Sequence, residues 1–494
     1  ISKTRSWVSD TAAFLCQLRL NHWEASLPEA PTTLSDLAGQ TVLIVGVGRE
    51  GTALATRLQS LEPAPRLIAV DGREGPSTEA FRAAFPSIPL HLIAPEGSLP
   101  DQCREASVAV MSPGIAMTSS LHRAVSALSI PLTSGSALFV ADHGEQMVGI
   151  TGSKGKSTTT TLVHALLQGS GVDVALGGNM GIPLQGLPPA QYYAVELSSF
   201  QCHYLEASPA VVGLTALFPE HLDWHGDLDT YYRDKLGIVA HGPEQVVANA
   251  DDPILRQELE TRHPGLPITW VGQGHEWHLE PDSDESWLCR GEEKLFHTGN
   301  SRMLGRHNHQ NMLMALALAD ATGRLEVSQI EAVFSQFEGL SHRLERIPDP
   351  SGVVFVNDSL ATNPQAGAAA LRSLSSPGMV WIVGGQDRGV DYQPLVDQVL
   401  VSKPRHILGL PASGGKLLGL FREALETIGE AGDSVLEEVP DMASAVSRAR
   451  ELAGPGDYVL LSPAAPSFGQ YRDYQHRAED FRSCIESTRP KENP

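Results

Sequence analysis

Between Ile150 and Gln168 the chain reads ITGSKGKSTTTTLVHALLQ: an apolar segment, a Gly-containing turn, then a predicted helix. A turn in that place aims backbone N–H groups at an anion, and the helix dipole adds to the attraction. Lys156 would reach the β- and γ-phosphates of a nucleotide, and the Ser157 hydroxyl would ligate Mg2+. The commonest pattern, G-x-x-x-x-G-K-[ST], asks for Gly at position 150, where this chain has Ile flanked by Gly149 and Gly152. The loop is therefore a variant. A plain turn with a surface lysine is the competing reading, and the strand–loop–helix order argues against it.

The same plan recurs along the chain. TVLIVGVGREGTALATRLQSL is a buried strand, a Gly turn and a helix; RLIAVDGR is a strand ending at Asp71, and VAVMSPGI one ending at Ser112, Pro113 and Gly114. After the phosphate loop come YYAVELSSFQ, AVVGLTAL and QVVANADD, short apolar runs that end in polar or acidic residues. A further unit runs through GVVFVNDSLATNP, GMVWIVGGQDRG, RHILGL and DYVLLSPAAPSFGQY. Apolar runs alternating with helices predict parallel α/β sheets with functional groups at the strand ends. At 494 residues the chain exceeds one ordinary core. We expect a lead-in over 1–38, where Trp7, Phe14, Leu18, Leu20 and Trp23 suit a short helix, then α/β domains over 39–142, 143–344 and 345–494. Within 275–300, EWHLE, SWLCRG and EKLFHTG read as short strands, and QNMLMALALADATG is a predicted helix closed by Gly323.

Composition narrows the function. A net charge of -22 and 6% aromatics argue against a basic, base-stacking nucleic-acid surface. Apolar runs fall short of the roughly 18 residues of a membrane span, so membrane insertion is not expected. Cys16, Cys103, Cys202, Cys289 and Cys484 are scattered without a CxxC pair, which favours free thiols in a reducing compartment over disulfides or zinc. The sequence opens at Ile1 rather than Met, which leaves a trimmed N-terminus and a lost signal open.

Gly46, Gly48 and Gly51 form G-x-G-x-x-G after a strand, with Asp71 twenty residues further on. Alone this reads as a dinucleotide fingerprint. A dehydrogenase has no use for a second nucleotide site at Lys156, whereas a ligase whose substrate is itself a nucleotide needs both. Glu196 ends an apolar run, where its carboxylate could bind Mg2+ directly or through water. FPEHLDWHG gathers Glu220, His221, Asp223 and His225, which read equally as metal ligands or as a polar loop. Lys235 in YYRDKLGIV reads by itself as a solvated lysine.

Taken in order, TGSKGKST, GGNMGIP, VELSSFQ, EHLDWHG, YYRDKLGI, GRHNHQNMLMALALA, GLSHRLE, NDSLATNP and LLSPAAPSFGQY resemble the motifs of the Mur ligases. These are the cytoplasmic ATP-dependent amide-forming enzymes of peptidoglycan synthesis, and the resemblance is strongest to the glutamate-adding branch. It covers roughly residues 40–485 and leaves only the lead-in unaccounted for. It implies three domains: a Rossmann-like UDP-binding domain, a central phosphate-loop ATPase-like domain, and a Rossmann-like C-terminal domain that brings the amino acid. It implies UDP-substrate contacts at Gly48, Asp71, Arg73, Ser112, Pro113, Gly114, Asn179 and Ser198. ATP contacts would come from Gly152, Ser153, Lys154, Gly155, Lys156, Ser157 and Thr158, with Asn308, Asn311, Arg343 and Asp358 on the nucleotide side. Ser157, Glu196, His221 and a carbamylated Lys235 would hold two Mg2+ ions, and Lys156, His221 and Lys235 would serve the chemistry. Thr362, Arg388, Ser467 and Tyr474 would hold glutamate.

The implied reaction joins the alanyl carboxylate of UDP-N-acetylmuramoyl-L-alanine to the amine of glutamate through an acyl phosphate. The implied enzyme is a cytoplasmic monomer. This chain departs from the branch's pattern in its last third: Leu360 replaces a cation, Arg388 a lysine, Gly469 an acid and Tyr474 a phenylalanine. The changes cluster where glutamate is expected and resemble the variant that adds L-glutamate, after which a separate epimerase inverts the residue. The competing readings are drift within a D-glutamate enzyme, a folylpolyglutamate-synthetase-like ligase, which needs no UDP site, and a phosphate-loop switch.

Overall fold

The computed structural model describes residues 33–283, 285–374, 378–429 and 434–489; the expected helical lead-in around Trp7 to Trp23, and Cys16, lie outside them. The described residues divide into two compact units, one within 33–271 and 314–325, the other within 272–313 and 326–489.

The first unit opens with β1 (Thr41–Val45), β2 (Arg66–Asp71), β3 (Leu90–Leu92), β4 (Val108–Met111) and β5 (Leu132–Ser134), all parallel and ordered β3-β2-β1-β4-β5. Alternate residues of β1 serve opposite faces. Val42 and Ile44 pack in a core with Leu54 and Leu58 of the helix Arg49–Gln59. Leu43 and Val45 pack in a second core with Leu121 and Val125 of the helix Ser120–Ser126. Burial on both faces is why these strands read as unbroken apolar runs. The strand order reverses between β1 and β4, which makes the loops after them a ligand crevice.

The same unit holds β6 (Met147–Thr151), β7 (Val174–Gly178), β8 (Tyr192–Glu196), β9 (Val211–Leu214), β10 (Gln245–Asn249) and β11 (Ile268–Val271), parallel and ordered β11-β10-β9-β6-β8-β7. β6 is buried along its whole length. The phosphate loop, Glu196 and Thr215 all leave the carboxyl edge of this sheet.

In the second unit β12 (Trp277–Asp282), β13 (Glu285–Arg290) and β14 (Glu293–His297) form an antiparallel meander at the three predicted strands. The predicted long helix spans His307–Ala321, passing to the first unit at Met314, and Gly323 follows it at φ +66°. The remaining strands are β15 (Glu345–Ile347), β16 (Val354–Asn357), β17 (Val380–Val383), β18 (His406–Gly409), β19 (Val435–Glu438) and β20 (Tyr458–Leu461). They are ordered β15-β16-β20-β17-β18-β19 and are parallel except for β15. Among the described residues no helix is long and apolar enough to cross a membrane, and Cys103, Cys202, Cys289 and Cys484 are free and buried.

Candidate functional site

The phosphate loop turns out of β6 at Gly152, where φ is +146° and a Cβ would stand 2.2 Å from Thr215 Oγ1, so only glycine fits. Gly155, at φ +86°, caps the helix Lys156–Gly169. Ser153 anchors the loop: its N–H donates to Ala216 O at 2.7 Å, and its hydroxyl accepts from Phe218 N at 2.8 Å and meets Tyr231 Oη at 2.9 Å. Lys156 Nζ donates to Ser153 O at 3.1 Å, and Lys154 Nζ lies 3.6 Å from Glu220 Oε1. Ser157 is half-buried and Thr158 buried.

Lys235, on the helix Leu228–Leu236, is not the solvated lysine that its local sequence suggests: it is 2% exposed. Its Nζ donates to Gly152 O at 2.8 Å and lies 5.1 Å from the centre of the Tyr231 ring. Burial, reinforced by the charge of Lys156, lowers its pKa to about 7. A substantial share is then neutral amine near neutral pH, the form that adds CO2.

Glu196 ends β8 and is 2% exposed. Oε1 accepts from Asn179 Nδ2 at 2.7 Å, while the buried Oε2 has no hydrogen-bond partner. A buried carboxylate oxygen left bare is costly unless a cation meets it. Mg2+ takes oxygen ligands and shares its shell with waters and substrate phosphates. Among the described residues no three His, Cys, Asp or Glu side chains converge on a metal position. The donors present, Glu196 Oε2 and the Ser157 hydroxyl, are too few for a closed protein cage and fit a metal held jointly with a nucleotide. His221 is exposed, at φ +57°, with its ring edge-on to Phe200 at 4.9 Å.

His225 turns inward. Its Nδ1 lies 2.8 Å from Asp234 Oδ2 and its Nε2 2.9 Å from Ser199 Oγ, so both ring nitrogens are engaged within the protein. Asp234 also meets His203 Nδ1 at 3.1 Å. Burial works to raise the Asp234 carboxyl, but the bonds from His203 and His225 outweigh it and hold it well below its ordinary value. This buried carboxylate ties the His221 loop to the helix that carries Lys235. Sequence reasoning missed it; the only hint is an acid next to Lys235.

At the first sheet, Gly46 has φ +89°, and a Cβ there would stand 2.8 Å from Ser112 Cβ. Gly48 caps the helix Arg49–Gln59 and a Cβ there would meet nothing within 4 Å, leaving room for an anion at the helix N-terminus. Asp71 braces the turn, accepting from Val47 N at 2.9 Å and Arg73 N at 3.4 Å, and Arg73 is exposed. The Ser112–Gly114 turn is bonded to the His221 loop: Trp224 Nε1 donates to Pro113 O at 3.1 Å, and Thr118 Oγ1 to Asp223 O at 2.8 Å. Ser198 caps a short helix by accepting from Gln201 N at 3.2 Å, and Gln201 Nε2 reaches Glu50 Oε1 at 3.3 Å. Two candidate nucleotide crevices thus adjoin within one compact unit.

The other predicted residues belong to the second unit. Asn308 Nδ2 donates to Leu304 O at 2.7 Å, Asn311 Nδ2 to Asn308 Oδ1 at 2.9 Å, and Arg343 is exposed. Asp358 is buried; Ser462 Oγ donates to it at 2.7 Å and Leu344 N at 3.3 Å, and burial lifts its pKa to about 7. Thr362, Arg388 and Ser467 lie on the loops after β16, β17 and β20. The Arg388 guanidinium sits 5.9 Å from the ring of Phe468, which is 50% exposed. Ser467 is buried, and the Tyr474 ring stands edge-on to His342 at 5.8 Å.

A phosphate loop on one sheet, and beside it a His221 loop bonded to the turn at the switch point of another, fit a nucleotide-dependent α/β enzyme. The chain belongs to the Mur ligase family: the Mur ligase middle domain matches residues 150–319, and the Mur ligase, glutamate ligase domain matches 342–465. A Micromonospora protein named UDP-N-acetylmuramoyl-L-alanine--L-glutamate ligase is 41% identical over 467 residues, 92% of this chain and 98% of its own. A Shewanella oneidensis protein named UDP-N-acetylmuramoylalanine--D-glutamate ligase is 34% identical over 463 residues, 90% of this chain and 97% of its own. In fold, the chain is similar to the UDP-N-acetylmuramate-alanine ligase MurC of Thermotoga maritima, with TM-score 0.57 and 16% identity over 91% of this chain and all of that one. It is also similar to MurF of the same organism in complex with ADP, with TM-score 0.54 and 15% identity over 93% of this chain and 98% of that one.

Proposed function

We propose that the protein is an ATP-dependent ligase that joins the alanyl carboxylate of UDP-N-acetylmuramoyl-L-alanine to the amine of L-glutamate. The observation that supports this reading is the bond from Trp224 Nε1 to Pro113 O at 3.1 Å, which links the His221 loop to the turn read as the UDP cradle. A switch needs one nucleotide site, whereas a ligase acting on a nucleotide-linked acid needs two that adjoin. The relatives' names support the substrates, and the L-glutamate relative is the more similar of the two described, at 41% against 34%.

The alanyl carboxylate attacks the γ-phosphorus of ATP, ADP leaves, and an acyl phosphate forms. The glutamate amine then attacks the acyl carbon, loses a proton, and phosphate leaves. Two anions meet in the first step, so Lys156 at the loop is the group that screens them. Mg2+ held by Glu196, Ser157, His221 and carbamylated Lys235 would supply further charge neutralisation at the phosphates. The Gly48 helix N-terminus and the Ser112–Gly114 turn would take the diphosphate and uridine, with Asp71, Arg73, Asn179 and Ser198 around the substrate. Asn308, Asn311, Arg343 and Asp358 would serve the nucleotide. Thr362, Ser467, Tyr474 and the Arg388 fork would hold the amino acid, since a guanidinium grips a carboxylate in bidentate fashion. The reading includes domains over 39–142, 143–344 and 345–494, a monomer in the cytoplasm where ATP is supplied, and an epimerase that acts on the L-glutamyl product.

ADP release by the purified protein tests it. Release should require ATP, Mg2+, UDP-N-acetylmuramoyl-L-alanine and glutamate together, and L-glutamate should be at least about tenfold better than D-glutamate, a difference of roughly 1.4 kcal/mol. Release without an amino acid would point to a switch. Equal or faster turnover with D-glutamate would overturn the L-specific reading and leave the ligase intact.

A further inference from the structure

The loops after β16 and β20 carry Thr362 and Ser467, and a residue outside every sequence motif holds them in one frame. Arg477 sits in the first turn of the helix Tyr474–Ser487 and is 1% exposed. Its Nε donates to Ser359 Oγ at 2.9 Å and its Nη2 to Ser359 O at 2.9 Å, while Nη1 donates to Ala465 O at 3.0 Å. Ser359 Oγ in turn donates to Tyr474 O at 2.9 Å. The carbonyl of Pro466, next to Ala465, accepts from Gln386 N at 2.9 Å, so the Arg388 loop is stitched to the same frame.

The chemistry of this residue is unusual for a purely structural one. Among the described residues none offers Arg477 a carboxylate in a salt bridge; its donors go to two carbonyls and a hydroxyl. Burying a guanidinium without a direct counter-ion costs several kcal/mol, and an apolar residue of similar volume would pack the same space. What an apolar residue lacks is a rigid planar fork that sets the spacing of two loops at once, and a positive charge behind them. An amino acid with two carboxylates gains from both.

We infer that Arg477 is a positioning residue for the amino-acid substrate: its fork sets the distance between the Ser359–Thr362 and Ala465–Ser467 loops, and its buried charge favours an anionic amino acid at them. The inference rests on the reading of these loops as the amino-acid pocket.

Steady-state kinetics of the full chain test it, with Arg388→Ala measured alongside. Arg477→Lys keeps the charge but loses the fork, and should raise the KM for glutamate about tenfold or more, on the scale of 1.4 kcal/mol. The KM values for ATP and the UDP substrate, and kcat at saturating glutamate, should stay within about twofold to threefold, a split that general loosening would not give. If Arg477→Lys does not fold by circular dichroism, Ser359→Ala decides: it keeps the charge and both carbonyl bonds, and should raise the same KM by a smaller factor. A folded variant with an unchanged glutamate KM, or with all three KM values raised alike, overturns the inference. If Arg388→Ala raises the glutamate KM while Arg477→Lys does not, the positioning role alone falls; if neither moves it, the pocket assignment falls with it.

Discussion

Two lysines stand within reach of the same turn, and their environments assign them different work. Lys156 is half-buried at a helix N-terminus on the loop itself, whereas Lys235 is sealed against Gly152 O and the Tyr231 ring. Lys156→Ala should lower kcat by about two to three orders of magnitude, the about 3–4 kcal/mol typical of one preorganised donor, as read by ADP release. Lys235, with a pKa lowered to about 7 by burial and by Lys156, offers an unprotonated amine at pH 8. Protein freed of CO2 should therefore lose activity and regain it with bicarbonate, and 13C-bicarbonate should give a carbamate resonance that Lys235→Arg abolishes; full activity in CO2-free buffer would exclude the carbamate. Of these features, Lys156 and Glu196 were legible because each sits at a fixed offset from a strand end. The Asp234–His225 strut and Arg477 were not. Periodicity reports that a residue is buried, but the partner of a buried polar group is set by tertiary packing.

At the scale of elements, the alternation of apolar runs and helices foretold the strands well, because a strand buried on both faces must be apolar along its length. The three short strands of 275–300 and the helix closed by Gly323 were equally plain, the first from brief alternating segments and the second from its length. Strand order was not legible, since nothing in β6 says that its neighbours will be β8 and β9. The turn after β1 gives a prediction that separates fold from function. A Cβ at Gly51 would stand 2.1 Å from Gly46 O, whereas one at Gly48 would meet nothing within 4 Å. Gly51→Ala must push the helix Arg49–Gln59 off the strand, so it should lose about 1–3 kcal/mol of stability. Gly48→Ala should melt like the parent yet raise the KM for the UDP substrate several-fold, because the methyl group fills the space left for the diphosphate. An unchanged KM in Gly48→Ala would remove the ligand from that helix N-terminus.

For the whole molecule, the threefold recurrence of the α/β plan was visible in the sequence, but the grouping of its sheets into two compact units was not: an apolar strand does not record which other sheet its layer joins. The candidate UDP-substrate contacts and the candidate glutamate contacts fall in different units, so heating should resolve more than one transition in calorimetry. UDP-N-acetylmuramoyl-L-alanine, whose candidate contacts all lie in the first unit, should raise one transition by mass action and leave the other. Asp358 marks the second unit. Burial raises its carboxyl from 3.8 to about 7, so the folded state holds the proton more tightly than the unfolded chain. The stability this contributes is present below about pH 4 and is lost as pH rises through 7. Asp358→Asn removes that dependence. The variant's melting temperature minus the parent's, for the transition that the UDP substrate leaves alone, should therefore be more positive at pH 8 than at pH 5, by a few degrees. A difference that does not change with pH would mean that Asp358 titrates alike in the folded and unfolded chain, and a shift in the ligand-sensitive transition instead would mean that the two units melt as one.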